Sequence, residues 1–523
     1  MRLAGAILVT MTVAEGAVVS HAWRDGKLTL KLEDGAATME WLSPVAFRLA
    51  RSWRGEGDVL PRIRHERTVP ELEDSGATFT MRTRYLTVDL DRADLNLRVT
   101  AADTPVVKVG LLLTAGGVEL GLGMAQDEKV FGLMGSDSGR LNLRGERLER
   151  RHGLFFTSRG YGIFMRAPER CAFDLASGTV QARGSQTIEY VFYYGPTPKE
   201  ILEQHQTVTG ESEVTAEALE LLSPDRLPPK ATPLPKMRLD SWQALGDLVR
   251  KLNQWSLSAV QYPALDLASL DWAKGEVKQR AEDMSTLLPI VYRSSGEGGI
   301  EAATRYMWKP YLITYLREGY DRGYPLIRPL PMQFSRDSNS DRQADVFMLG
   351  DEILLAPVLA AGGRRRLDLP RGIWTDLRTN AEYRGNRTVE VEALAGRVPM
   401  FARNGSIVPL MAKNAMELHY FPSLAGEFFL WEPDPGENSQ FHASPAGEFM
   451  RLETETQVRR TYEWVIHHTK AAHEVAGEGT PYKRVDGRTQ LRPGTWWHDA
   501  ALNNLHVMER ADAGADKIVN ISF

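Results

Sequence analysis

Hydrophobic and polar residues alternate in short runs over the first part of the chain. From Leu28 to about Tyr194, apolar positions recur every second residue and are separated by Gly, Asp and Asn turns. The run from Thr78 to Leu90 shows this period of two, which predicts strands with one buried face. Many such strands with turns between them indicate a β-sandwich. A helix is predicted from Pro198 to Val208, because proline stands near its first turn and Gly210 follows its end.

The pattern changes in the middle of the chain. Residues 221–235 are rich in proline and are predicted to be a linker. Trp242 to Leu252 and Gly299 to Gly319 carry apolar residues at helical spacing, and Leu257 to Leu265 is typical of a buried strand. One strand between helices suits a fragment of an α/β barrel. A complete barrel has eight strands and typically ~250 residues, and residues 221–330 are too few for one. From Asp345 onward the pattern returns to short β-like runs.

Composition excludes some classes of protein. The hydrophobic fraction of 43% and the charged fraction of 25% are those of an ordinary soluble globular protein. The formal net charge of -5 argues against nucleic acid or an anionic membrane as a partner, since both favour basic surfaces. No run of the chain reaches the ~18 apolar residues of a membrane helix.

Cysteine content and the N-terminus bear on location. Cys171 is the only cysteine, so the chain has no disulfide framework and no cysteine-built zinc site, which favours the cytoplasm. Residues 1–17 begin with one basic residue and a short apolar run. If they act as a signal peptide, the protein is secreted or periplasmic. Thr10, Thr12 and Glu15 interrupt that run early, so cytoplasm is the first expectation.

Motifs on both sides of the middle segment resemble glycoside hydrolase family 31, the α-glucosidases and α-xylosidases. They follow one another in the order of that family: Val130–Leu133, Leu141–Gly145, Gly160–Phe164, Tyr194–Ile201, Arg305–Tyr311, Gly323–Leu330, Val346–Val358, Leu369–Asp376 and Val398–Leu410. Each motif alone is weak, but their shared order makes chance a poor explanation. Between Asp225–Lys230, which looks like the barrel entry, and Trp242, the first two thirds of the family's barrel are missing.

The resemblance implies a multidomain, β-rich protein. It consists of an N-terminal β-sandwich at residues 1–220, a shortened (β/α) barrel remnant at 221–330, a proximal C-terminal β-sandwich at 331–412 and a distal C-terminal β-sandwich at 413–523.

The resemblance also shows which catalytic groups are altered. Retaining glycosidases need two carboxyl groups about 5–5.5 Å apart, and the family's nucleophile lies in a Trp-x-Asp-x-Asn-Glu-like motif that this sequence lacks. Met237 stands where the general acid is expected, so the catalytic residues are unknown and Asp240 is the remaining candidate. The alternative interpretation of Asp240 is a helix N-cap before Trp242. Asp283 belongs by spacing to a later helix and is interpreted as a solvated charge.

Spacing from Trp242 identifies the substrate-binding candidates that the resemblance implies. Asp266, 24 residues on, matches an Asp that contacts sugar hydroxyls, although Leu267-Ala268-Ser269 replaces the glycines that normally follow. Arg280 matches the Arg of an Arg-Trp pair. In Tyr292-Arg293-Ser294-Ser295 the family's sugar-binding His is gone, and Arg293 is a displaced ligand or a surface charge.

Ring stacking is the remaining candidate contact to sugar. Trp272 or Tyr262 could present a ring face to it. The alternative is that Asp266 caps a turn and that the aromatic rings are core.

No cofactor and no metal are expected. His467-His468 and His498 lack a second ligand pair at metal spacing. The sequence has no phosphate-binding glycine loop of the P-loop or dinucleotide type.

Three functions remain open. The first is a catalytically impaired relative of the α-glycosidases that binds α-linked sugars or oligosaccharides or serves as a scaffold. The second is an active retaining α-glucosidase or α-xylosidase with a rearranged site, so enzyme status is uncertain. The third is a subunit that forms a homo-oligomer or pairs with a chain supplying the missing barrel strands, because exposed strand edges invite pairing.

Overall fold

The computed structural model describes residues 17–53, 68–211, 213–337, 339–394 and 396–523. The predicted signal-peptide region falls almost wholly on residues 1–16, outside these ranges. No helix of the described ranges is long and apolar enough to span a membrane. The chain divides into two compact units, Met1–Ser136 with Asn142–Gly210, and Asp137–Leu141 with Glu211–Phe523.

The first unit is built from antiparallel strands. They are β1 Val18–Arg24, β2 Lys27–Leu32, β3 Gly35–Ser43, β4 Ala46–Ser52, β5 Glu71–Asp74, β6 Thr78–Arg82, β7 Leu86–Asp91, β8 Leu97–Ala101, β9 Thr104–Thr114, β10 Gly117–Leu122, β11 Val130–Gly132, β12 Arg147–Thr157, β13 Tyr161–Asp174, β14 Thr179–Arg183 and β15 Thr187–Tyr194. They form one sheet in the order β1-β2-β3-β4-β15-β13-β14-β10-β9-β8-β7-β6-β5, with β12 between β11 and β13.

Alternation along these strands produces the core. In β7, Leu86, Val88 and Leu90 are buried, whereas the intervening residues are polar and at least partly exposed. These apolar side chains join those of β2 to β4 in a single cluster, so the two ends of the sheet pack over a shared core as a sandwich. The prediction of strands from Thr78 to Leu90 and of an N-terminal sandwich is confirmed.

The predicted helix after the sandwich is also present. Helix α1 spans Pro198–Thr209, with proline in its first turn and Gly210 at its C-cap with φ 87°. The Thr197 backbone N–H donates to Glu200 at 2.8 Å, closing a capping box.

The middle segment, residues 221–330, holds four short parallel strands. They are β16 Leu221–Leu222, β17 Ala231–Pro233, β18 Tyr262–Asp266 and β19 Ile290–Tyr292, in the sheet order β16-β19-β18-β17. Helices α2 Trp242–Ser256, α3 Gly275–Ser285 and α4 Ala302–Arg322 accompany them, with 3₁₀ turns at Ala216–Leu219, Pro224–Arg226 and Leu267–Leu270. This segment is a truncated barrel, as expected.

Two predictions in this segment are wrong. The proline-rich stretch is not only a linker, because it supplies β16 and β17, both at edges of the sheet, where Pro233 is tolerated. The buried strand begins at Tyr262 instead of Leu257. The residues before it complete a turn in which Ser258 N and Val260 N both donate to Trp255 O, and Ala259 adopts φ 63°.

The rest of the second unit is β-sheet, apart from α5 Leu330–Gln333 and a 3₁₀ turn at Arg488–Gln490. The proximal strands are β20 Ile327–Pro329, β21 Phe347–Leu349, β22 Ile353–Leu355, β23 Arg364–Leu369, β24 Ile373–Asp376, β25 Glu382–Arg384, β26 Arg387–Glu392 and β27 Met400–Arg403. A six-stranded sheet, β20-β21-β22-β27-β24-β25, shares one core with the pair β23-β26, through residues such as Trp374 and Leu367.

The distal strands form two further six-stranded sheets. They are β28 Ile407–Met411, β29 Met416–Tyr420, β30 Gly426–Glu432, β31 Glu437–Ala446, β32 Phe449–Thr456, β33 Arg460–Ile466, β34 Glu474–Gly477, β35 Thr480–Pro481, β36 Lys483–Arg484, β37 Thr495–Asp499, β38 Asn504–Ala511 and β39 Ala515–Ser522. Buried Phe441 of one sheet lies edge-on to Trp464 of the other, with ring centroids 6.2 Å apart. The two predicted C-terminal sandwiches are therefore confirmed as part of the β-rich architecture.

Candidate functional site

The ends of β18 and β19 bring the candidate site together. The two strands are parallel, and Asp266 stands in register with Tyr292. Their carboxyl ends therefore lie side by side, at the edge where α/β sheets and barrels bind ligands. The loop after Tyr292 and the 3₁₀ turn after Asp266 meet at this edge.

Asp266 is held by three protein donors. Its carboxylate accepts from Ala268 N at 3.0 Å and from Ser294 N at 3.1 Å, and Ser294 Oγ donates to its second oxygen. It thus caps the turn Leu267–Leu270, which confirms the alternative interpretation of Asp266 as a turn cap. The carboxylate remains partly exposed, so hydroxyl groups of a ligand can still donate to its remaining lone pairs.

Arg293 closes the neighbouring loop. Its guanidinium Nη1 donates to both carboxylate oxygens of Asp271 at 3.0 Å, and Nη2 donates to Leu267 O at 3.3 Å. A Cβ on Gly296 would lie 2.7 Å from Asp271 Oδ2, and one on Gly298 would lie 3.1 Å from the guanidinium. Glycines at these positive-φ positions let the loop wrap around the ion pair.

Trp272 is the aromatic ring available at this edge. Its side chain is 55% exposed, and the Arg238 guanidinium lies 4.2 Å from the ring centroid. Arg238 Nε is in turn 3.2 Å from Asp240 Oδ2. Tyr262, by contrast, is buried and donates its hydroxyl to Leu316 O at 3.2 Å, which agrees with the alternative that its ring is part of the core.

Asp240 does not cap helix α2. Ser241 is the N-cap residue, since its Oγ accepts from Ala244 N at 3.2 Å, so the capping interpretation of Asp240 is wrong by one position. The Asp240 carboxylate faces Arg238 instead. Its role as a catalytic residue stays a prediction.

Arg280 makes its contacts elsewhere. Its guanidinium donates to the carbonyls of Leu394 at 2.6 Å and Arg397 at 3.3 Å, and also to Ala393 O and Glu276. It therefore fastens α3 to the loop after β26 and makes no contact with Asp266. Substrate binding by Arg280 stays a prediction that none of these contacts supports.

Asp283, on the same helix, is not a solvated charge. Gln279 Nε2 donates to its Oδ1 at 2.9 Å, and the residue is half-buried. Burial raises the pKa of the Asp283 carboxyl above its ordinary value.

The sequence did not identify every residue that shapes the site. Asp271 and Arg238 pair with two of the predicted residues, and Ser294 holds Asp266 although its segment was noted only for a missing His. Burial, and next the charge of Asp266, raises the pKa of Tyr292. These residues could have been identified from the parallel register of β18 and β19. That register can be derived only when the first and last residues of both strands are known.

The carboxylates at this edge share one property. Asp240, Asp266 and Asp271 each accept from a guanidinium or from several N–H and O–H donors. Each of these carboxylates is therefore engaged by protein groups on at least one oxygen. The described residues contain no group of three or more His, Cys, Asp or Glu side chains placed to hold a metal ion. The arrangement is suited to accepting hydrogen bonds from a polyhydroxylated ligand.

Comparison with known proteins gives a family model that matches part of the chain and several relatives of low identity. Residues 323–408 match the glycosyl hydrolase family 31 C-terminal domain. The chain is 24% identical over 314 residues to an isomaltosyltransferase of Sporosarcina globispora, covering 50% of this chain and 28% of that protein. It is 30% identical over 141 residues to an α-xylosidase of Saccharolobus solfataricus, covering 25% of this chain and 19% of that protein. The chain thus spans less than a third of these relatives.

Solved structures show the same fold. A family 31 dextranase of Flavobacterium johnsoniae complexed with glucose superposes with a TM-score of 0.82 at 14% identity, covering 97% of this chain and 100% of that one. An α-xylosidase of Xanthomonas citri superposes with a TM-score of 0.70 at 11% identity, covering 97% and 99%.

Proposed function

We propose that this chain is a divergent member of glycoside hydrolase family 31 that binds α-linked sugars without hydrolysing them at ordinary enzyme rates. One observation carries the proposal: residues 221–330 contain four short parallel strands, and the three aspartates near their ends are each paired with other groups of the protein. A retaining mechanism needs both a nucleophile and an acid, and one carboxylate cannot serve both faces of the sugar.

The strand-end edge supplies the binding groups in this proposal. Asp266 accepts hydrogen bonds from sugar hydroxyls, and exposed Trp272 offers a ring for the apolar face of a pyranose. The relatives support this class of ligand, since a related dextranase variant is solved with isomaltotriose and others are α-glucosidases and α-xylosidases.

The catalytic part is tested with p-nitrophenyl α-glucoside and α-xyloside. We expect turnover far below the lower end of the usual enzyme range of about 1 s⁻¹. Turnover at or above that value, lost in an Asp266→Asn or Asp240→Asn variant, would contradict the proposal. It would establish the alternative, an active retaining α-glycosidase with a rearranged site.

The binding part is tested by calorimetric titration with maltose, isomaltose and xylose oligomers. We expect saturable binding that Asp266→Asn and Trp272→Ala weaken at least tenfold. Glu282→Gln, on a half-exposed position of α3, is the matched control and should bind as the wild type does. Equal binding by the wild type and all three variants would show that the sugar does not bind at this edge.

A scaffold role is the second candidate. Strands β16 and β17 end the four-stranded sheet on either side, and unpaired strand edges accept further strands. We propose that a second copy or a barrel-supplying chain pairs there. Light scattering that gives a monomer over the full concentration range, with no binding to a chain encoded nearby, would contradict it. Cytoplasm remains the proposed location, on the single buried Cys171.

A further inference from the structure

The outer face of the first unit carries a groove that the strand-end site does not involve. It has a volume of about 690 Å³ and runs across strands β6 to β10. This lies within the range of about 300–1,000 Å³ found for ligand sites. The groove is partly open to solvent, so a chain-like ligand can extend beyond it.

Two facing glycines form the floor of this groove. Gly110 of β9 and Gly121 of β10 are directly opposite each other in the antiparallel register. A Cβ on Gly121 would meet only Gly110 O, at 4.0 Å, and neither glycine has a positive φ. Neither the backbone nor the packing therefore requires glycine at position 121.

Glycine in a strand has an energetic cost of about 0.5–1 kcal/mol relative to alanine. A strand glycine without a conformational reason marks a place where something approaches the backbone closely. At Gly121 the missing side chain leaves the groove open, whereas the Asn96 amide lies over Gly110, 2.8 Å from where its Cβ would stand.

The wall of the groove is a row of polar side chains at directly opposed positions. Thr80 pairs with Asp89, Asp89 with Arg98 and Arg98 with Lys108 across four neighbouring strands. Strands lie about 4.8 Å apart, so a donor or acceptor recurs at intervals close to the width of a pyranose ring. On their opposite faces the same strands contribute to the apolar core.

Both signs of charge in this row are available to a ligand. Thr80 Oγ1 donates to Asp89 Oδ1 at 2.8 Å, which leaves the second carboxylate oxygen facing the groove region. Within the described ranges, neither Arg98 nor Lys108 forms a hydrogen bond or an ion pair through its charged group. Acidic side chains alone would favour a cation, and basic ones alone an anion. Their mixture favours a neutral ligand whose groups both donate and accept.

We propose that this groove binds a neutral oligosaccharide, with hydroxyls donating to Asp89 and accepting from Arg98 and Lys108. The open position at Gly121 lets a pyranose ring lie against the backbone of β10, beside the Asn96 amide. The site is independent of the strand-end site proposed above, and it lacks an aromatic platform. Its proposed role is to hold a sugar chain.

Hydrogen exchange with maltotriose and isomaltotriose as probes tests the location. We expect protection of peptides covering β6 to β10 at millimolar ligand, and a Gly121→Thr variant should weaken that binding at least tenfold. Glu119→Thr is the matched control, because residue 119 lies two positions earlier on the same face of β10 and outside the groove. It should retain wild-type affinity. Equal melting temperatures of the wild type, Gly121→Thr and Glu119→Thr establish that folding is unaffected. Lys108→Met is a second variant, which removes a charged group of the groove and leaves Gly121 unchanged.

The outcomes separate the two sugar sites. Groove protection that persists in Asp266→Asn and disappears in Gly121→Thr supports the groove proposal even if the strand-end proposal fails. Protection confined to residues 262–298, or equal binding by the Gly121→Thr and Lys108→Met variants and the wild type, overturns it. Binding of Ca²⁺ alone at β6 to β10, with no protection by either sugar, also overturns it.

Discussion

An Arg305→Met variant is expected to lose about 3–4 kcal/mol of stability in the second unit. Arg305 lies on α4, is buried, and donates to Thr286 O at 2.9 Å, Leu288 O at 2.8 Å and Pro289 O at 3.0 Å. Its Nε also donates to Leu219 O. Methionine fills much of the volume but satisfies none of these carbonyls, and each buried acceptor left without a partner costs about 1–3 kcal/mol.

The geometry of the guanidinium explains why lysine should not rescue this variant. Burial lowers the pKa of Arg305 to about 10, so the group is still protonated at neutral pH. Lysine carries a single ammonium with three donors, which cannot reach acceptors spread around a planar fork. We expect Arg305→Lys to recover less than half of the lost stability.

Urea unfolding combined with hydrogen exchange of α4 peptides measures the effect. Lys309→Met is the matched control, since it removes a positive charge from an exposed position of the same helix and should change stability by less than about 0.5 kcal/mol. Equal unfolding midpoints for the Arg305 and Lys309 variants would show that the hydrogen bonds from Arg305 to the carbonyls do not contribute to stability.

Sequence periodicity predicted the parts of the fold that local pattern determines. The strands around Thr78–Leu90 follow from a period of two, and α1 follows from the proline in its first turn and from Gly210 after its end. Strands β16 and β17 escaped prediction because they contain two and three residues. Such short strands are formed by their parallel neighbours and not by their own composition.

The candidate site was predictable only in part, for a similar reason. Asp266 was found through spacing, but its main partner, Ser294, lies 28 residues away and is brought close by the register of β18 and β19. Arg293 was identified as a candidate without its partner Asp271, 22 residues earlier. The interpretation of Arg280 rested on spacing alone, and its buried contacts with the carbonyls of Ala393 and Leu394 depend on the proximal sandwich. Long-range pairing of this kind cannot be deduced from one sequence.

Glu352 is expected to make stability depend on pH between about pH 5 and pH 8. Its buried carboxyl lies near two tyrosine hydroxyls, Tyr311 Oη at 2.8 Å and Tyr315 Oη at 2.5 Å from Oε2. Burial, and then the charge of Asp351, raises the pKa of Glu352 to about 7.

Proton counting supports a neutral Glu352 in the folded protein. Tyr311 has one hydroxyl proton, and its oxygen is 2.6 Å from Leu349 O and 2.8 Å from Glu352 Oε2. When Glu352 is protonated, it can donate to Tyr311 Oη while Tyr311 donates to Leu349 O and Tyr315 donates to Glu352. Every group in this chain then has a partner, whereas an ionised Glu352 competes with Leu349 for one proton.

The sign of the pH effect follows from this raised pKa. Because the folded state holds the proton more tightly than the unfolded chain, whose carboxyl titrates near 4.5, the contribution is fully present below that value. It is lost as pH rises through about 7, and the difference between the two pKa values corresponds to about 3 kcal/mol. Glu352→Gln keeps the shape and removes the titration. We expect its unfolding free energy to change less than that of the wild type from pH 5 to pH 8.5.

Urea unfolding of both proteins at each pH gives the measurement. Subtracting one curve from the other cancels the contributions of other titrating groups. One of these is His467, because burial lowers its pKa well below the ordinary value. Glu427→Gln, at an exposed position of β30, is the control and should give a curve parallel to that of the wild type. A constant difference between wild type and Glu352→Gln from pH 5 to pH 8.5 would mean that Glu352 is ionised throughout. In that case Tyr311 and Tyr315 both donate to its carboxylate, and the Leu349 carbonyl is left without the Tyr311 proton.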